Sequence, residues 1–306
     1  MMGLSPVETS KDTILFLQKL AAYNKSKGFD ESSNPLEGFN FDEVKMPILE
    51  ELKFHSEKFG DWSIQFCAPP IARASLVSFT ESPLTVMWFA TRAYKGIYST
   101  SVERIEDYGF EDSLEDIVKT KLQTPLEMIH TLWLLQDVSR AFTHQLVRYR
   151  IGTAFVQESM RFLGMKGTYK VLVTNDIHTD FGKFSAYKTG IAAAISAYVN
   201  LLESDVPSED ARGTLPTNIL TNIFFDCSLR TLQGIFPQRL CCQAQPGEWQ
   251  LILKTMRDQI KMKMGDKIEG LLRSPYELGK DCGYRASFDR PCVWTKREKT
   301  NAEDKT

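Results

Sequence analysis

The chain has 306 residues, of which 42% are hydrophobic and 25% charged, with a formal net charge of −2 and a sequence pI of about 6.2. That length buries a large core, and the balanced charge supplies no overall positive field to hold a nucleic-acid polymer by counterion release. Anion binding must come from local basic sites. The chain lacks an apolar run of about 18 residues, and "MMGLSPVETSKDT" shows no charged start ahead of an apolar stretch, which predicts no membrane contact, no signal peptide and a cytoplasmic address.

In chain order, Ile14, Leu15, Leu17, Leu20 and Ala21 predict a helix over about 11–27, stopped by Gly28. A polar stretch follows, then a second helix over about 46–59. "GDWSIQFCAPPIARASLVSFTESP" reads as one or two strands, given its β-branched and aromatic residues between prolines. From Pro83, "LTVMWFATRAYKG" is helical, and a shorter helix follows an acidic connector. Residues 128–135 look like a strand, with Asp137 or Ser139 capping a helix that ends near Arg148. A long helix over about 181–202 follows Asp180 and is apolar on most sides, as a buried or subunit-contacting helix would be. Another is expected between Pro216 and Pro237, and a last one over about 248–273. The charged tail "KREKTNAEDKT" has no apolar residue to bury and is expected to be disordered. These elements predict an N-terminal extension over 1–72, a main domain over 73–275 and a tail over 276–306.

Two blocks of arginines stand out. Between Ser139 and Arg161 the single acid, Glu158, faces four arginines, and Gln145, Arg148, Arg150, Ser159 and Arg161 fall within it. In "ARGTLPTNILTNIFFDCSLRTLQGIFPQRL" the arginines Arg212, Arg230 and Arg239 share an apolar segment with one acid, Asp226. Guanidinium forks bind phosphate bidentately and stay ionised, so such clusters suit a phosphate. The alternative is that each pairs with a distant carboxylate or snorkels from a helix face. The sequence favours a bound polyanion as the missing counter-charge.

Familiar cofactor motifs are absent. There is no GxG and no GxxxxGK[ST], which removes the dinucleotide fingerprint and the P-loop. His55, His130, His144 and His178 show no paired-ligand spacing, so no metal site is expected. The six cysteines (Cys67, Cys227, Cys241, Cys242, Cys282 and Cys292) form no CxxC pair and read mostly as reduced, buried thiols, none of them catalytic.

"SRAFTHQLVRYRIGTAFVQESMRF" resembles the signature of the flavin-dependent thymidylate synthases: HQ-x-x-R-H-R, a short loop, then E or Q, x, S, x, R and an aromatic. "ATRAY", "TPLE" and the block from Ala211 to Gln245 extend the likeness over about residues 75–275. The chain departs from the pattern at Tyr149 and Met128, where the family has His, at Ser228 and Gly234, where it has Asn, and in a 150–159 loop one residue longer. The resemblance implies an α+β fold with a mixed sheet flanked by long helices, preceded by the N-terminal helical extension. It implies a homotetramer whose active sites are shared between subunits, with FAD as cofactor and NADPH and methylenetetrahydrofolate as co-substrates. It also implies methylation of dUMP to dTMP without a nucleophilic cysteine. Gln145, Arg148, Glu158, Ser159, Arg161, Arg212 and Arg239 would hold dUMP, Arg239 activating the uracil electrostatically. Thr124, Arg148, Tyr149, Arg150, Gln157 and Arg230 would line FAD, with Tyr94 and Ser228 beside them. The departures leave two further readings: a hydroxymethylase or dCMP-acting enzyme on the same scaffold, and a non-catalytic homologue that binds nucleotides.

Overall fold

The computed structural model describes residues 54–94, 96, 111–119, 123–162, 164, 167–241, 244 and 247–280. The helix expected over 11–27, the charged tail, and Cys242, Cys282 and Cys292 lie outside the described residues. Contacts divide the chain after Leu52, ahead of the expected boundary at residue 72, and every described residue belongs to the second unit.

The residues read as the end of a second helix, Phe54–Phe59, form strand β1 instead. Gly60, at φ 58°, supplies the left-handed turn that brings β2 (Trp62–Cys67) back antiparallel, with Phe59 opposite Trp62. Helix-forming Lys and Glu in "FHSEKF" are outweighed by this pairing and by Phe59 stacking on Trp62 at 4.5 Å. β3 (Arg73–Phe79) follows, then helices α1 (Pro83–Tyr94) and α2 (Glu111–Lys119). β4 (His130–Ser139) leads directly into α3 (Arg140–Leu146), whose first turn is capped by Ser139 accepting from the Phe142 amide at 3.0 Å. β5 (Thr153–Gln157), β6 (Gly167–Leu172) and the long α4 (Phe181–Glu203), capped by Asp180, come next.

Two other expectations are corrected. The segment read as a helix between Pro216 and Pro237 is strand β7 (Leu220–Ser228) followed by α5 (Leu229–Arg239), which keeps Pro237 in its last turn. Every second residue of β7 is buried, Thr221, Ile223, Phe225 and Cys227, a period of two that the neighbouring apolar residues mask in the sequence. The last helix, α6 (Glu248–Met264), stops at Gly265, at φ 81°, and a 3-10 segment, Asp266–Leu271, replaces its expected continuation to 273.

Two sheets result. β1-β2-β6 is mixed, β2 and β6 being parallel; β3-β4-β7-β5 is antiparallel throughout. Helix α4 covers the first, burying Ile191, Ile195 and Tyr198 with Ile64, Phe66 and Val171. On the second, Trp133, Leu135, Ile223 and Phe225 pack with Trp249, Leu253, Met256 and Ile260 of α6. A bulge in β4 puts Asp137 at φ 52°, where it accepts from Arg73 at 2.8 Å and from Lys170 of β6 at 3.2 Å, joining the two sheets.

Candidate active site

The end of α3, the turn after it and the last turn of α5 meet at one place. Arg239 donates from Nε to the Tyr149 hydroxyl at 2.8 Å and from Nη1 to Gln145 Oε1 at 2.9 Å. Its guanidinium lies 5.5 Å from the Tyr149 ring centre and 5.2 Å from that of Trp249. The Tyr149 hydroxyl donates onward to Gln238 Oε1 at 3.0 Å. Burial pushes the Tyr149 pKa up, against the lowering effect of Arg239, so the phenol stays protonated and neutral. Among the described residues, no carboxylate pairs with Arg239, and Nη2 has no protein acceptor.

This cluster joins the two arginine blocks across about ninety residues of sequence, and α6 builds its floor. Trp249 is buried, packs against Phe142 of α3 with ring centres 4.3 Å apart and planes tilted by 40°, and donates from its indole to Gln145 Oε1 at 2.9 Å. Glu248, one residue earlier, accepts from the Ser139 amide and the Ser139 hydroxyl, each at 2.6 Å. Consecutive residues of one helix therefore hold the two ends of α3.

A second cluster forms where the Met160–Phe162 turn meets Ser208–Ala211. Arg161 lies 3.3 Å from one Glu209 oxygen, while Arg212 bonds the other and also donates to the Glu209 carbonyl at 3.1 Å. Ser159 Oγ accepts from Arg161 Nε at 3.4 Å. The expectation that ligand charge alone balances these arginines is corrected here: Glu209, two residues ahead of the second block, supplies a shared counter-charge. Arg140, which the sequence reading passed over, is half-buried on the first turn of α3. Burial, with the Arg212 guanidinium nearby, lowers its pKa, and among the described residues it has no acid partner. Glu158 is exposed and accepts from the backbone and side chain of Asn222, both at 3.2 Å.

Arg148 and Arg150 are exposed, and neither pairs with an acid among the described residues. Gln157 donates to Thr143 at 2.9 Å. Ser228 is buried as the cap of α5, accepting from the Thr231 amide at 3.2 Å, and Thr231 in turn donates to the Ile151 carbonyl at 3.1 Å. Those two hydroxyls carry the 150–153 turn; a side chain at Gly152, φ 64°, would meet Thr231 Oγ1 at 3.0 Å. Arg230 lies apart from the Arg239 cluster. It bonds Gln123 and, at 2.8 Å, Gln233, beside exposed Thr124. A cavity of about 500 Å3 opens there, lined by Arg230, Gln233, Gly234 and Arg273 among others. Tyr94 closes α1.

The sequence signalled the arginines by residue type, Arg140 among the four of the first block without a role; it carried no mark for Glu209, Glu248, Trp249 or Gln238, which only the fold brings to them. Paired sheets flanked by helices, carrying two arginine clusters, define an α+β protein. The thymidylate synthase complementing protein model matches residues 75–264, and the chain belongs to that family. It is 31% identical over 219 residues to the flavin-dependent thymidylate synthase of Pyrococcus furiosus, covering 69% of this chain and 87% of that one. With the protein of the same name from Geobacter sulfurreducens it shares 29% identity over 185 residues, 58% of this chain and 78% of the relative. A UMP/dUMP methylase, PolB from Streptomyces cacaoi, bound with 5-Br dUMP, has the same fold at a TM-score of 0.51 and 17% identity, covering 64% of this chain and 92% of that chain.

Proposed function

We propose that the chain is a flavin-dependent thymidylate synthase that methylates dUMP to dTMP. The observation that carries this reading is Arg239, held by the neutral oxygens of Tyr149 and Gln145 and so keeping its full charge for a ligand. A guanidinium fixed before the reaction stabilises negative charge as it develops on a uracil ring and makes C5 nucleophilic toward a one-carbon donor, with no reorganisation at the moment of reaction. Methylenetetrahydrofolate would provide that carbon and NADPH the electrons. FAD, when bound, supplies the hydride chemistry.

The donor set suits these ligands. Arg140, Arg161 and Arg212, with Ser159, would hold the nucleotide phosphate by exchanging Glu209 for it. Exposed Arg148 and Arg150 present charge to a diphosphate, and the cavity at Arg230 and Gly234 accepts the far end of a dinucleotide. Where the family has Asn, Gly234 has open space around it. Buried cysteines fit a route without a thiol nucleophile: burial pushes Cys67 up to about 12 and Cys227 higher still, so neither supplies a thiolate.

Sites shared within a homotetramer are supported by an apolar stripe on the outer face of the antiparallel sheet, where Val156, 71% exposed, is paired with Phe224. No helix among the described residues is long and apolar enough to cross a membrane, and a cytoplasmic address accords with the free thiols of Cys67, Cys227 and Cys241.

The test is an absorbance spectrum of the purified protein followed by an anaerobic assay with dUMP, methylenetetrahydrofolate and the reduced cofactor. Bound flavin and a product of dTMP mass are expected. A colourless protein that cannot be loaded with FAD overturns the reading, and a hydroxymethylated product redirects it.

A further inference from the structure

Gln145 carries one acceptor and two donors on its side-chain amide, and the fold uses only the acceptor. Its Oε1 receives the Trp249 indole N–H at 2.9 Å and the Arg239 guanidinium at 2.9 Å. Both partners are donors only, so the amide cannot reverse without placing its own NH2 against two N–H groups. Trp249 is 1% exposed and packed against Phe142 with its ring tilted by 40°, so burial keeps its N–H in place. Among the described residues, nothing accepts from Gln145 Nε2. The edge that Gln145 and Arg239 turn to a ligand therefore consists of donors: Nε2 of one and Nη2 of the other.

We infer that Trp249 is a positioning residue that locks Gln145 as a donor, and that this lock selects a pyrimidine nucleotide presenting a carbonyl oxygen at C4 over one presenting an amino group. The inference rests on the proposed function, in which the pyrimidine lies against Arg239. A 4-oxo ring offers O4 to Gln145 and, as negative charge develops across N3 and O4, accepts from Arg239 as well. A 4-amino ring sets N–H against N–H at the same point, and the half-buried amide, tethered through Oε1, cannot turn its acceptor to it. A site built on hydrogen bonds rejects an analogue of the wrong polarity far more strongly than an apolar pocket rejects a wrong shape.

The experiment compares the binding of dUMP and dCMP to the FAD-loaded full chain, as wild type, Trp249→Phe and Gln145→Glu, by calorimetry and by flavin spectral change. Wild type is expected to favour dUMP by about 100-fold or more. Trp249→Phe keeps an aromatic ring but leaves Arg239 alone to hold the amide, and should narrow that ratio about tenfold. Gln145→Glu turns the edge into an acceptor and should bring dCMP to parity with dUMP or beyond. The ratio of the two affinities is the decisive reading, because a merely structural defect weakens both nucleotides together; Trp249→Phe gives it should Gln145→Glu fail to fold. A wild type that prefers dUMP, with the ratio unmoved in both variants, overturns the lock and leaves the proposed function standing. A flavin-loaded wild type that binds neither nucleotide overturns the proposed function, and the lock falls with it.

Discussion

The Arg239 cluster and the Glu209 cluster treat the same side chain in opposite ways. Arg239 rests on a phenol, an amide and an indole face, all neutral, in a half-buried place; Arg161 and Arg212 share a carboxylate at a site where their side chains are 55% and 38% exposed. In the first, the protein has prearranged direction and left the charge unspent, which is what stabilising a developing anion requires. In the second, it has screened its own repulsion, and the proposed phosphate would have to displace an acid. An exposed ion pair of that kind contributes only about 0–1 kcal/mol, so the exchange is cheap. On the proposed function, the first region would serve the chemistry and the second the capture of the phosphate.

The largest expected effect comes from removing the uncompensated charge. Arg239→Ala should lower kcat about 100- to 1,000-fold, with little change in nucleotide affinity through the phosphate, measured as single-turnover dTMP formation. Comparable losses of kcat on replacing Arg161 would erase the distinction between the regions. Next is the support beneath the first cluster. Glu248→Gln replaces an acceptor with a donor opposite the Ser139 amide and hydroxyl, and should destabilise the fold by about 1–3 kcal/mol, read as a shifted urea midpoint. Smaller again, Glu209→Gln frees Arg161 and Arg212 and should tighten dUMP binding about three- to tenfold at low salt, the gain fading as salt rises. Unchanged affinity would mean that no phosphate displaces Glu209.

The smallest concerns pH and lies away from both clusters. Burial raises the Glu277 pKa, but the Ser274 amide and the Arg257 guanidinium outweigh it, so its folded value is below the usual 4.5. A depressed carboxylate contributes stability that is present above the unfolded pKa and lost as pH falls through the folded one. Stability should therefore decline as pH drops below about 4.5, and Glu277→Gln should flatten that part of the thermal-melt profile.

How far the sequence reached depends on how local each cause is. Ser139 was readable as one of two candidate caps, and the start of a helix after Asp180 was readable too, because the capping bonds lie within three residues. Phe54–Phe59 and Leu220–Ser228 were misread as helical because their partners lie elsewhere: His55 faces Phe66, and Phe225 sits between Trp133 and Phe155. The end of α6 was overrun because apolar spacing continues through Ile268 and Leu271 while a single left-handed glycine breaks the hydrogen-bond ladder. In the site, guanidiniums in apolar surroundings announced themselves by type. Their partners did not, since Glu209 reads as an ordinary acid in a polar turn and Trp249 as an ordinary core aromatic.

The Gln145 oxygen draws on three stretches of chain, one ending at α3, one at Arg239 and one at Trp249. During synthesis Arg239 emerges before Trp249, so on the proposed lock a nascent fragment that already contains both arginine blocks would lack the indole that fixes the amide and would discriminate less between bases.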